Sequence, residues 1–227
     1  LDNHLADIAT HTYDRELDST LESSEEVHLA HVEGALKRIE AGTYAMAVAM
    51  TGCDVLLQHA RPELLQSALD VISQTGATIT PTNEGIRVAR NGAGLEPVEV
   101  TTAPFPGFPT DLQAQLMALM TRATGTSHIP ETIFENRFMH VAELARIRAR
   151  IDTDGAIAVI RGVSRYQGAP VMASDLRASA ALVLAAVDPA HAHAKPGELD
   201  NRIVDFAAEL GKGLRGALHI LHANYPT

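Results

Sequence analysis

Thr101-Thr102-Ala103-Pro104-Phe105-Pro106-Gly107-Phe108-Pro109-Thr110-Asp111-Leu112-Gln113-Ala114-Gln115 carries three prolines and a glycine immediately ahead of a helix-forming run. Proline holds φ near −65° and removes a backbone donor, so this stretch predicts a rigid turn rather than a strand or a helix. The turn ends by delivering Asp111 to the first turn of a helix, where the helix dipole favours negative charge. On these residues alone, a Pro-rich connection followed by an ordinary helix-capping aspartate reads the same way.

Around this string, from Tyr44 to about Val187, short apolar runs with β-branched residues alternate with helix-like runs. Asp54–Leu57, Ala77–Thr80, Gly85–Val88 and Val98–Thr101 read as strands, and Asn83-Glu84-Gly85 and Asn91-Gly92 as turns. A weak internal repeat joins Arg61–Leu69, Pro109–Leu116 and Ala173–Ala180, each a Pro-containing or small-residue turn, an acid, a Leu and then an apolar helix. Helix starts are expected near Pro62, Thr110 and Ser174. The acids Glu63, Asp111 and Asp175 are 48 and then 64 positions apart, which implies a repeated fold but not a simple solenoid.

The flanks differ in texture. Residues 1–37 are acidic and read as helix. Ser23-Ser24-Glu25-Glu26 has the form of a capping box, Leu29, Val32, Leu36 and Ile39 follow at helical spacing, and Gly42 reads as a stop. Residues 188–227 begin with the linker Asp188–Gly197. An amphipathic helix follows, with Ile203, Phe206, Leu210, Leu214, Leu218 and Leu221 on one face. Both apolar faces are expected to be buried, against the central region or in a homo-oligomer.

Composition excludes several classes. The 227-residue chain is 46% hydrophobic with a net charge of −10, which disfavours nonspecific nucleic-acid binding. With few aromatics and no Trp, the core must be aliphatic. No segment approaches the ~18 consecutive apolar residues of a membrane span, and the acidic N-terminus does not resemble a signal peptide. Leu1 is not an initiator Met, so a processed, trimmed or fragmentary chain is expected. A single cysteine, Cys53, can form neither an intramolecular disulfide nor a cysteine zinc cluster and suits a reducing, cytoplasmic setting; it reads as a small buried residue. His28/His31 and His219/His222 are i,i+3 pairs, and Glu25-x-x-His28 is half of a carboxylate-bridged di-metal pattern that needs a second copy. These histidines, with His191 and His193 in the linker, read as surface or interface residues. No metal and no cofactor is expected.

Three further strings join the first in order and spacing: Arg38-Ile39-Glu40-Ala41-Gly42-Thr43-Tyr44, Thr132-Ile133-Phe134-Glu135-Asn136-Arg137-Phe138-Met139-His140 and Val171-Met172-Ala173-Ser174-Asp175-Leu176-Arg177-Ala178-Ser179. Together they resemble the UDP-N-acetylglucosamine enolpyruvyl transferase (MurA) family over residues 38–187. The resemblance implies an α/β fold of repeated βαβαββ units of the inside-out barrel type, with 38–44 as a linker entering the domain. It also implies transfer of the enolpyruvyl group of phosphoenolpyruvate to a hydroxyl of UDP-N-acetylglucosamine, in peptidoglycan synthesis. Asp111 would contact the reacting hydroxyl as general base, Asp175 and Arg177 would lie near the enolpyruvyl group, and the backbone at Ile133 and Phe134 would line the sugar-nucleotide site.

The departures are specific. The family's other domain, its loop cysteine, its lysine-asparagine pair and its final phosphate-binding arginine have no counterpart, so a chain inactive on its own is expected. Asp2–Asp7, Thr12–Glu16 and Arg38–Tyr44 more weakly resemble DksA/TraR-type regulators, without the cysteines of their zinc finger; a fusion joined at 38–44 would explain both likenesses. A non-catalytic binding or scaffold module and a regulator acting through its helical arm are the rival functions.

Overall fold

The computed structural model describes residues 32–91, 94–173 and 176–186. The chain divides into two compact units, 1–40 and 41–227. The capping box, Leu29, the His28/His31 pair, the 188–197 linker and the C-terminal amphipathic helix lie outside the described residues.

In the first unit, residues 32–40 are helical. Val32 and Leu36 are exposed, at 56% and 38%, where burial was expected. The described part of this unit is a single stretch of helix, so it offers no second element to cover them.

The helix, α1 (32–51), does not stop at Gly42. The 38–44 stretch is therefore helical, and the boundary between the two units, after Glu40, falls within it. α1 ends at Gly52, which takes φ +73° and donates its N–H to the Val48 carbonyl, a left-handed helix end that glycine adopts without steric cost. Cys53 follows, partly rather than fully buried.

Beyond it lie β1 (Asp54–Gln58), α2 (Pro62–Gln74), β2 (Thr78–Thr82) and β3 (Gly85–Ala89). The strands form an antiparallel sheet in the order β1-β3-β2, with Val88 opposite both Val55 and Ile79. β1 and β2 thus run the same way on either side of β3, and α2 is the crossover between them. Pro62 starts α2, where the missing N–H costs no helical bond, and Leu65, Ala68, Leu69, Val71 and Ile72 form its buried face.

The same plan recurs. A 3₁₀ turn, Thr110–Leu112, leads into α3 (Gln113–Met120), then β4 (Thr126–Pro130), α4 (Met139–Arg146), β5 (Arg150–Asp154) and β6 (Ile157–Arg161). The second sheet has the order β4-β6-β5, again antiparallel. α5 (Leu176–Ala186) occupies the place after the second sheet that α3 occupies after the first, and the two helices pack together.

The repeat read from sequence therefore needs correction. α3 and α5 are equivalent, but α2 corresponds to α4, not to them. The shared pattern of turn, acid and Leu marks a helix beginning, and α2 carries that signal although it is a crossover helix.

α3 is buried on every side, all eight residues included. A helix without a polar face belongs inside a core, whereas β2 and β5 are largely exposed. Helices inside and sheets outside give the inside-out arrangement. The run Val98–Thr101 is an extended segment alongside β4 rather than a full strand. Val100 N–H donates to the His128 carbonyl at 3.0 Å and His128 N–H to the Val98 carbonyl at 3.1 Å, and Pro97 supplies no donor ahead of it. Among the described residues no helix is long and apolar enough to cross a membrane.

Candidate active site

The Pro-rich string folds as a closed turn. Ala103 N–H donates to the Phe108 carbonyl at 2.9 Å and Gly107 N–H to the Pro104 carbonyl at 2.7 Å. Phe105–Pro106 is a cis peptide bond, and the Ser67 hydroxyl on α2 holds the Gly107 carbonyl at 3.0 Å. Pro109 then sets an extended backbone, and Leu112 N–H returns to its carbonyl at 3.0 Å. Leu112 is wholly buried and lies against Gly42 of α1, where a Cβ would come within 2.5 Å of Leu112 Cδ1. Gly42 serves this close approach. With its neighbours anchored on both sides, Asp111 is presented by a rigid turn.

The Asp111 side chain is half exposed at 48% and faces Arg137, whose Nη1 stands 3.7 Å from Oδ1. Arg137 is mostly covered, and its guanidinium lies over the Phe134 ring, 4.1 Å from the centroid, a cation–π arrangement. Asn136, at φ 57°, turns the loop between Phe134 and Arg137. Phe134 itself is exposed at 53%. The cluster thus combines a carboxylate, a guanidinium and an open aromatic face.

Behind it is Glu131, only 4% exposed. Its Oε2 accepts the Thr110 hydroxyl at 2.7 Å, and its Oε1 accepts the backbone N–H groups of Ile133 at 2.8 Å and Phe134 at 3.2 Å. Burial pushes this carboxyl up. Hydrogen bonds from Thr110, the Ile133 amide, Thr102 and the Phe134 amide outweigh that, so it is held below the ordinary value of 4.5.

Of the residues singled out from sequence, Asp111 and Phe134 meet at Arg137, and Ile133 and Phe134 are tied to the Asp111 turn through Glu131 and Thr110. Arg177 falls in the first turn of α5, while Asp175 lies outside the described residues. The sequence reading gave no role to Arg137, although it sits in the quoted Thr132–His140 string, or to Glu131, one residue before it. Arg137 carries a signal, a basic residue three positions after an aromatic. Glu131 carries none beyond its place at the end of β4.

Two other features hold less chemistry. A shallow depression on the first sheet is lined by Asp54, Leu56, Thr82, Asn83, Glu84 and Arg87, where Arg87 already makes a two-point pair with Asp54 at 2.7 and 2.6 Å. Among the described residues no group of three or more His, Cys, Asp or Glu side chains is placed to hold a metal ion.

The profile of the EPSP synthase (3-phosphoshikimate 1-carboxyvinyltransferase) family matches residues 15–193. UDP-N-acetylglucosamine 1-carboxyvinyltransferase of Rhodopseudomonas palustris (strain BisA53) is 70% identical over 168 residues, covering 74% of this chain and 39% of its own length. The protein of the same name from Nitrobacter winogradskyi is 76% identical over 148 residues, 65% of this chain and 34% of its own. Among solved structures, the enolpyruvyl transferase NikO from Streptomyces tendae matches with a TM-score of 0.55 at 24% identity, over 66% of this chain and 36% of NikO; that likeness shows the fold. The chain spans roughly a third to two-fifths of the curated relatives it matches.

Proposed function

The chain belongs to the EPSP synthase family, and from that premise we propose that residues 38–187 form part of a UDP-N-acetylglucosamine 1-carboxyvinyltransferase site. The observation that carries this is the cluster itself. Asp111 stands half exposed on a rigid turn, beside Arg137 and the Ile133–Phe134 loop. Asp111 takes the proton of the sugar hydroxyl as its oxygen attacks the enolpyruvyl carbon, a general-base role that requires hydrogen-bond reach. The C–O bond forms at C2 as the double-bond electron pair takes up a proton at C3; loss of a C3 proton then restores the double bond and breaks the C2–O bond to phosphate, which leaves. The Ile133–Phe134 backbone and the exposed Phe134 ring receive the sugar nucleotide, and Asp175 and Arg177 act at the enolpyruvyl group. Arg suits that place because its fork pairs with carboxylate or phosphate.

One observation favours a second reading, binding without chemistry: the described cluster holds a single guanidinium, Arg137, and it already faces Asp111. A single experiment addresses both. The purified chain is titrated with UDP-N-acetylglucosamine, with and without phosphoenolpyruvate, and phosphate release is assayed on the same sample. Saturable binding that weakens in Asp111→Asn supports the site, and phosphate release separates transferase from binding module. Equal affinity in the wild type and D111N, or equal affinity for an unrelated nucleotide, would remove the proposal.

A further inference from the structure

We infer that Glu131 is a positioning residue, whose buried carboxylate locks the turn carrying Asp111 to the Ile133–Phe134 loop so that base and sugar-nucleotide cradle move as one body. Glu131 touches neither Asp111 nor the solvent-facing side of the cluster. Its own backbone is fixed at the end of β4, where its N–H donates to the Ala156 carbonyl at 2.7 Å. From that fixed point its two oxygens face different segments: Oε2 takes the Thr110 hydroxyl, one residue before Asp111, and Oε1 takes both loop amides. A second strap lies beside it. Thr132 N–H donates to Thr102 Oγ1 at 2.9 Å and the Thr132 hydroxyl to the Thr102 carbonyl at 2.5 Å, tying the loop to the strand that leads into the Pro-rich turn.

An acceptor-only group is needed here. Donors from Thr110, Ile133, Phe134 and Thr102 converge on one buried side chain, and a carboxylate presents two oxygens with no donor of its own. A glutamine keeps one oxygen for the amides but turns an NH₂ toward the Thr110 hydroxyl, which must then accept rather than donate. Glu131→Gln therefore replaces a charge-assisted bond to the Asp111 turn with a weaker neutral one and spares the tie to the loop, and Thr110→Val removes the same bond from the other side.

The test has two arms. In the first, amide resonances of Thr110, Ile133 and Phe134 are followed against pH in a D111N background. The charged side chains on the surrounding segments are Glu99, Asp111, Glu135, Arg137 and Asp154, and D111N silences the carboxylate next to Thr110. All three amides should share one inflection below pH 4.5, and E131Q should abolish it at all three. In the second arm, which rests on the proposed function, sugar-nucleotide affinity should fall about tenfold in E131Q and in T110V, a loss typical of a hydrogen bond to a charged group. The double variant should be no weaker than T110V alone. Ile160→Val, in the core of β6, serves as a control for general loss of stability and should leave affinity unchanged. A shared inflection in a chain that binds no sugar nucleotide would uphold the lock and overturn the proposed function alone. A Thr110 amide that does not follow the loop amides, or an affinity loss in I160V equal to that in E131Q, would overturn the lock.

Discussion

Asp111 and Arg137 face each other across 3.7 Å with half of the Asp111 side chain in water, so the pair contributes little to folding. Pairs of this kind are worth about 0–1 kcal/mol. Arg137→Gln is accordingly expected to change urea-denaturation stability by less than about 1 kcal/mol, while sugar-nucleotide binding by calorimetry weakens clearly. A parallel loss of both would show that Arg137 is structural. Glu131 behaves oppositely, because its bonds are internal. Its folded-state pKa lies below 4.5, so its contribution to stability is complete above the unfolded value and is lost as pH falls through the folded one. Thermal scans should show wild type and Glu131→Gln furthest apart near neutral pH and converging in acid. A gap that widens on acidification would contradict this sign. At this scale the sequence was legible only where residues constrain one another. Three prolines and a glycine announce a turn, and Asp111 stands out beside them. Glu131 is one acid after a strand, and its partners are distant backbone amides and a hydroxyl that no local pattern reveals.

Helices and strands were more legible, because periodicity and terminal signals repeat along a whole segment. Pro62 marked the start of α2, and Asn83-Glu84-Gly85 the hairpin between β2 and β3, where Gly85 takes φ +148°. Gly42 was misread, since a glycine at a helix end and one under a packed side chain look alike until Leu112 is placed above it. α3 gave no amphipathic signal because it has no outer face. Gly162, just after β6, shows the same packing demand more severely. A Cβ there would lie 1.7 Å from the Ala123 carbonyl oxygen, a backbone atom also fixed by its turn. Gly162→Ala should therefore destabilise by at least the ~1–3 kcal/mol of an overpacked core, measured by denaturant titration. Helix and strand propensity would favour alanine, so a neutral or stabilised variant would mean that the 123–125 turn moves freely.

At the scale of the molecule, the repeat was visible in sequence but α2 was counted with α3 and α5, because those three helices begin alike. Only topology distinguishes the crossover helices α2 and α4 from the buried α3 and α5. The placement bears on chemistry. α3 and α5 are equivalent, so the turn that carries Asp111, just ahead of α3, and the helix start that carries Arg177, in the first turn of α5, belong to corresponding segments of successive copies. The two segments proposed to act in chemistry thus come from one structural position used twice. Transfer from phosphoenolpyruvate, however, develops charge on a departing phosphate, and catalysis depends on preorganised cations and donors aimed at that charge. The described cluster supplies one guanidinium, Arg137, which already faces Asp111, within a chain of net charge −10. We therefore expect the 227-residue chain alone to release no measurable phosphate from phosphoenolpyruvate in the presence of UDP-N-acetylglucosamine, while retaining weak sugar-nucleotide binding that falls in Asp111→Asn. Binding and turnover should separate because the carboxylate and the loop meet in one cluster, whereas that cluster offers a departing phosphate no second guanidinium among the described residues. Robust phosphate release by the isolated chain, abolished in D111N, would show that residues 38–187 hold a complete catalytic site.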